Sequence, residues 1–255
     1  MKKLLLGAAA ALAVAAPGIA AAETSGNIDF SLGATEYDGG SEFDQTNLGG
    51  AVQFDTGAGW TVQLDGRTSN VEFDGSSGTS STGYAAAHAT TSNGAWDFGG
   101  WAGLVNYYGT GGWTIGGETR TNFGNFSVQG SIGYSSIETF SDFETMSYQV
   151  GGAYFFTPNF SVNASAALHD IDAGFTDIEM TDLGVGAAYG FGNGFEVYGG
   201  YVSSDFDFSG SSTDADTWNL GLRYHFNGGT LQDNANDGAS WSAVRAISDA
   251  FTRLD

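Results

Sequence analysis

Long stretches of this chain alternate apolar and polar positions with a period of two. Ile28, Phe30, Leu32 and Ala34 fall on one face of an extended segment and Asp29, Ser31 and Gly33 on the other; Leu48, Val52 and Phe54 oppose Asn47, Ala51 and Gln53 on the return. Such alternation marks strands with one apolar and one polar face. Tight turns punctuate the pattern, each followed at once by an aromatic residue: 55–59 before Trp60, Ser92-Asn93-Gly94-Ala95 before Trp96, Asn122-Phe123-Gly124-Asn125 before Phe126, Thr157-Pro158-Asn159 before Phe160, and 190–194 before Phe195. These restarts are 36, 30, 34 and 35 residues apart. The spacing predicts one long hairpin per repeat, with short turns at one end and longer loops at the other. Twelve strands result, the first over Ile28–Ala34 and the last over Trp218–Phe226. Alternation blurs around Tyr84–Ala89 and Gly99–Gly103, in the fourth and fifth strands, so ten strands is the alternative count.

Met1, Lys2 and Lys3, the apolar run Leu4–Ala16 and the small residues Ala20-Ala21-Ala22 read as a secretory signal peptide over 1–22. No later stretch approaches the ~18 consecutive apolar residues of a spanning helix. A membrane protein with this pattern must therefore be a closed barrel, since only helices and barrels satisfy every backbone group in lipid. The expected fold is all-β: a transmembrane antiparallel up-and-down barrel over 23–226, followed by a tail over 227–255. The 41 glycines suit a crowded barrel interior and the aromatics suit interfacial girdles.

The strand Asn219-Leu220-Gly221-Leu222-Arg223-Tyr224-His225-Phe226 carries the order polar-x-Gly-x-x-aromatic-x-Phe. It resembles the closing-strand signal of Gram-negative outer-membrane β-barrels. That resemblance implies residence in the outer membrane, contact with its lipid and lipopolysaccharide, and recognition by the barrel-assembly machinery through Asn219–Phe226. It also puts the short turns on the periplasmic side. In that family the final Phe normally ends the chain, whereas here residues 227–255 follow. The tail opens with a polar linker, 227–239, and continues with Trp241, Val244, Ile247, Phe251 and Leu254 at helical spacing, with Ser240 as a candidate cap. This predicts a short amphipathic helix starting on the periplasmic side. Plugging the barrel, lying on its rim and binding a periplasmic partner all stay open.

Charge changes the picture further. Both lysines lie in the signal segment, so the cleaved chain keeps five Arg against 29 Asp plus Glu, a net −24. Such a chain repels nucleic acid and attracts cations. The absence of Cys removes disulfides and thiolate metal sites. Acidic pairs two apart extend the strands beyond the membrane: Glu36/Asp38, Glu42/Asp44, Glu72/Asp74, Asp142/Glu144, Asp170/Asp172, Asp205/Asp207 and Asp214/Asp216. Their parity points them outward, with Tyr37, Phe43, Phe73, Phe143, Ile171 and Phe206 turned inward; a bulge would reverse any one strand. At the headgroup level Mg²⁺ or Ca²⁺ can bridge such carboxylates to lipopolysaccharide phosphates. Asp205, Asp207, Ser209, Asp214 and Asp216 also match the spacing of a twelve-residue calcium loop, with Gly210 at its sixth position. Strands rather than helices flank that segment.

Asp65, Arg67, Glu118, Arg120, Glu196, Arg223 and His225 are the charged or titratable residues expected to face the lumen. The arginines do not cluster at one height, and no long third loop is available to fold inward as in large porins. Enzyme signatures are weak. His88, Ser92, Asn93 and Gly94 miss the His-x-Ser-Asn-Gly order of outer-membrane phospholipases, and His169/Asp170 with Asp205/Asp207 lack the Asp-x-His order of omptin-type proteases. The sequence thus points away from an enzyme, and to a porin-like passive channel for ions or small hydrophilic solutes with a cation preference. The alternative is a non-conducting structural barrel bound to lipopolysaccharide through divalent cations. Oligomerisation stays open, because a lipid-facing strand face and an oligomer face look alike in sequence.

Overall fold

The computed structural model describes residues 24–74, 79–138, 143–174, 176–208, 210–226 and 229–254. The signal segment over 1–22 lies outside them, as do Asp142 and Ser209. Twelve strands form one closed antiparallel barrel: β1 (Thr24–Tyr37), β2 (Glu42–Asp55), β3 (Trp60–Phe73), β4 (Thr79–Asn93), β5 (Trp96–Tyr107), β6 (Thr110–Phe123), β7 (Phe126–Ile137), β8 (Phe143–Thr157), β9 (Phe160–Asp172), β10 (Asp177–Gly190), β11 (Phe195–Phe208) and β12 (Ser211–Phe226). Each strand pairs with its sequence neighbours, and β1 closes onto β12 with Ile28 opposite Tyr224 and Phe30 opposite Leu222. The ten-strand count is thereby corrected. The fourth and fifth strands are real and pair along their length, from Gly83 opposite Asn106 to Asn93 opposite Trp96.

The outer wall is built from the apolar set of the alternation. Leu32, Leu48, Leu104, Ile115, Val150, Leu183, Val185 and Leu220 are all exposed on it. Next to the short turns, aromatic rings form a girdle: Phe123 with Phe126 at 5.4 Å, Phe126 with Tyr154 at 4.7 Å, Phe156 with Phe160 at 5.7 Å and Phe195 with Tyr224 at 4.9 Å. Amphipathic rings at that level suit the interface between hydrocarbon and water. Among the described pairings the ladder shifts register once, at Phe155/Thr157 near a short turn. The parity of the acidic strand ends is therefore undisturbed.

After β12 the chain turns back into its own barrel. Helix α1 (Leu231–Asp237) starts from a capping box, in which the Thr230 hydroxyl accepts from the Asp233 amide and the Asp233 carboxylate accepts from the Thr230 amide. This corrects the reading of 227–239 as linker alone. The Asp233 carboxyl lies below its ordinary range because the Thr230 backbone and hydroxyl donate to it. Helix α2 (Ala243–Thr252) follows, and its N-cap is Ser242, not Ser240. Val244, Ile247 and Phe251 are buried against Tyr84, Ala86, Trp101, Val105 and Ile137 of β4, β5 and β7. One of two buried apolar clusters among the described residues is thus the contact between the tail and this sector of the lumen wall. At ~1.5–3 kcal/mol for each large apolar side chain buried, that contact is substantial.

Two glycines make room for it. A Cβ at Gly116 or Gly133 would fall 2.2 or 2.5 Å from the Trp101 indole. With hydrogen there instead, the ring lies flat across β6 and β7, and Ile247 packs beside Gly133.

Candidate functional site

The lumen is the site, and the tail occupies it. Luminal side chains hold the tail from the periplasmic rim upward. Gln232 donates from its side chain to the Gly124 carbonyl at 2.8 Å and from its amide to the Pro158 carbonyl at 3.0 Å, tying α1 to two short turns. Gln53 donates to the Asp237 carbonyl at 2.8 Å and Asn27 to the Ala239 carbonyl at 3.0 Å. Gln63 makes two bonds to the Trp241 backbone, donating to its carbonyl at 2.9 Å and accepting from its amide at 3.1 Å. Side-chain amides do this because the stretch between the helices has no ladder or helix to satisfy its own backbone.

Charged residues form three further groups. Arg120 donates from Nε and Nη2 to one oxygen, Oδ2, of Asp97 at 3.1 and 3.0 Å, donates to the Ala235 carbonyl and to Ser240, and stacks over Trp241 at 4.6 Å. His88 lies between two carboxylates, Nδ1 at 2.7 Å from Glu118 and Nε2 at 2.9 Å from Asp65, with Trp101 alongside. Glu196 holds both Arg223 at 3.2 Å and His225 at 2.6 Å, and Arg223 covers the Tyr198 ring. The six lumen-facing charges read from the strand parity all lie in these groups except Arg67. That residue donates to Ser31 at 3.4 Å and lies 3.8 Å from Asp249 of α2. Sequence reasoning read Asp29 only as a polar-face residue and His88 and His169 only as weak enzyme candidates, and it did not single out Asp97 or Asp182. Their inward parity was the available signal, but nothing in the strands alone said that tail arginines would pair with Asp29 and Asp182.

Toward the outer mouth the lumen turns apolar. Tyr107 stacks on Phe143 at 5.8 Å, Phe143 meets Phe251 at 5.9 Å, and the Tyr37 hydroxyl donates to the Arg253 carbonyl at 2.9 Å. Ile171, Met180 and Phe206 pack with Ala250 nearby. Beside the tail two cavities persist. One of 480 Å³ is bordered by Asp29, Glu196, Tyr198, Arg223 and Arg245, and one of 240 Å³ by Gln129, Gln149, Ser165 and Arg253. The lumen is filled along one wall and hollow along the other.

Outside, the acidic strand ends form a ladder of like charges. Asp205 stands opposite Asp214, Glu36 opposite both Asp216 and Glu42, Asp44 opposite Glu72, and Glu179 opposite both Asp170 and Asp207. β11 continues to Phe208 and β12 restarts at Ser211, so Asp205, Asp207, Asp214 and Asp216 sit exposed on a hairpin instead of encircling one point. Ser209 is outside the described residues, and among those described no group of three or more His, Cys, Asp or Glu could hold a metal ion.

The enzyme candidates are likewise dispersed. His169 is buried inward, whereas Asp170, Asp205 and Asp207 are exposed outside. Ser92 at the β4–β5 turn bonds to Asp97 at 2.5 Å, while His88 is engaged by Glu118 and Asp65. His169 does contact Ser147 at 2.8 Å and faces Asp182 at 3.5 Å. Ser147 is 1% exposed.

A family model described as outer membrane protein beta-barrel domain matches residues 5–191. No curated protein matches the chain. Among solved structures, an outer membrane channel from Pseudomonas putida F1 superposes with a TM-score of 0.58 at 14% identity, covering 80% of this chain and 95% of that one. The translocator domain of autotransporter NalP from Neisseria meningitidis gives 0.50 at 11% identity over 84% of this chain and 93% of that one. An anion-selective porin from Comamonas acidovorans gives 0.46 at 12% identity, over 81% and 99%. Likeness at these identities concerns the fold.

Proposed function

The chain belongs to the outer membrane protein beta-barrel domain family, and on that footing we propose that it is a passive, cation-preferring channel for small hydrophilic solutes, throttled by its own C-terminal segment. One observation carries the reading: the wall opposite α2 is polar and leaves a 480 Å³ cavity beside the tail. A barrel built solely as a scaffold has no need of a hollow, charged interior. Wall carboxylates outnumber wall arginines: Asp29, Asp65, Asp97, Glu118, Asp182 and Glu196 against Arg67, Arg120 and Arg223. Cations are therefore the favoured permeants once the tail moves.

The test is single-channel recording in asymmetric salt from folded full-length protein, before and after cleavage at a protease site inserted at 227–228. Small cation-selective steps that grow after the cut and a mild urea wash are the expected result. Silence from both preparations, with the barrel still folded, would sink the channel reading.

A second reading is favoured by the carboxylate ladder outside. Like charges directly opposite one another in a sheet repel, and divalent cations shared with lipopolysaccharide phosphates would relieve that repulsion. The barrel would then serve as a structural element of the outer leaflet. Chelation with EDTA in lipopolysaccharide-containing vesicles should lower its melting midpoint by several degrees, and Mg²⁺ should restore it. Asp214 adds a pH signature. Lost hydration and the carboxylates of Asp205, Asp38 and Asp216 raise its pKa, so its ionised form disfavours the folded state above that pKa. Stability gains as pH falls through the raised value, and the Mg²⁺ effect should fade over the same range. A midpoint indifferent to EDTA at neutral pH would remove the cation bridge.

A further inference from the structure

The two arginines of α2 and its C-cap reach carboxylates on the sector of the wall from β10 round to β1. Arg253 forms a salt bridge with Asp182 of β10. Asp182 is 7% exposed, accepts from the Ser204 hydroxyl at 2.6 Å and faces His169 Nε2 at 3.5 Å. Lower down, Arg245 lies 3.6 Å from Asp29 of β1, which is 4% exposed and accepts from the Tyr198 hydroxyl at 3.0 Å; Arg245 also points a guanidinium nitrogen at that hydroxyl, 3.5 Å away. In both places a buried carboxylate is oriented by a wall hydroxyl and paired with a tail cation, and at Asp29 the wall's Arg223 also stands directly opposite on β12. The wall supplies the anion and its positioning; the tail is the ligand.

We propose that Asp29 with Tyr198, and Asp182 with Ser204 and His169, are guanidinium-binding sockets of the lumen wall, occupied by Arg245 and Arg253 in the plugged barrel and by guanidinium-bearing solutes in the open one. The identity of the permeant class rests on the channel reading; the sockets themselves do not. A planar guanidinium suits a carboxylate flanked by hydroxyls better than a spherical ion does, because its N–H groups diverge in one plane and reach several acceptors at once. The two sockets lie at different heights along the tail, and Arg245 borders both the 480 Å³ cavity that touches Asp29 and the 240 Å³ cavity that touches Asp182. A solute with one such group meets two stations in series, the arrangement that permits entry without trapping.

Chemical rescue in the full-length protein tests the sockets without requiring conduction. Arg253→Ala and Arg245→Ala each vacate one socket while Val244, Ile247 and Phe251 still hold α2. Each variant should melt a few degrees lower than the parent, and ethylguanidinium at about 20 mM, far below denaturing strength, should recover a good part of the loss by binding the folded state alone. The recovery should vanish in Arg253→Ala/Asp182→Asn and in Arg245→Ala/Asp29→Asn, and the unsubstituted protein should not respond. Recovery at either carboxylate upholds that socket. Absence of recovery in both single variants, or equal recovery with potassium or methylammonium at the same concentration, would overturn the assignment even if the barrel proves to conduct.

Discussion

Full-length protein carrying Val244→Asp and Ile247→Asp should conduct at least tenfold more current than the parent, since each ~1.4 kcal/mol against docking is a tenfold change in the open population until the open state dominates. Both side chains are fully buried between α2 and the wall, with Trp101, Tyr84 and Ile137 around them and no polar partner in that cluster. An unpaired carboxylate placed there costs several kcal/mol, more than the ~1.5–3 kcal/mol each apolar side chain contributes. The barrel should survive, because its strands pair without the tail. Heat-modifiable mobility on gels checks this, and Ala246→Asp, on the cavity side of the same helix, should leave the current near the parental value. Unchanged conductance in the double variant, with the barrel folded, would mean that α2 does not limit flow.

The second large effect is expected at His88. Its ring is 1% exposed and separates Asp65 from Glu118. His88→Leu leaves two buried carboxylates facing an apolar side chain, a loss of about 3–5 kcal/mol for removing the central partner of a buried charged group. Urea unfolding from lipid vesicles should show the drop. Adding Asp65→Asn and Glu118→Gln should return much of it, because the charge that needed compensation is gone. The loss should extend to the tail, since Trp101 lies against His88 and also floors Ile247. A single variant as stable as the parent would show that these carboxylates find other partners.

Strand number, order, lipid face and the position of the short turns were legible because each rests on local chemistry. A turn followed by an aromatic residue, repeated at hairpin spacing, is enough to count strands, and parity assigned Asp65, Arg67, Glu118, Arg120, Glu196 and Arg223 to the inner face. The destination of the tail was not legible, although its trace was present. Alternation fails at Tyr84–Ala89 and Gly99–Gly103 because these strands are apolar on both faces, lipid outside and helix inside. Tyr84, Ala86, Trp101 and Val105 are the inward half of that record. Two-sided apolar strands beside an amphipathic tail at the same spacing are the signal that could have joined them. Helix α1 escaped notice for a different reason: Asn and Asp dominate it, and its capping box uses Asp233 where Glu or Gln is the commoner partner. The calcium-loop spacing says nothing about whether the backbone curls or extends. Here β11 and β12 remain extended through the acidic residues.

The route of the tail also divides the protein's own fluorophores. Of six tryptophans, Trp60, Trp96, Trp113 and Trp218 are 45–62% exposed on the outer wall, whereas Trp101 and Trp241 are 3% and 5% exposed inside. Brominated acyl chains should quench the first four and spare the inner two. Those two sit against Ile247 and Arg120, so the residual emission comes from the surfaces that part when the tail leaves. An aqueous quencher then gains access to a signal that lipid never touched, and the state of the lumen can be followed optically in an unlabelled protein.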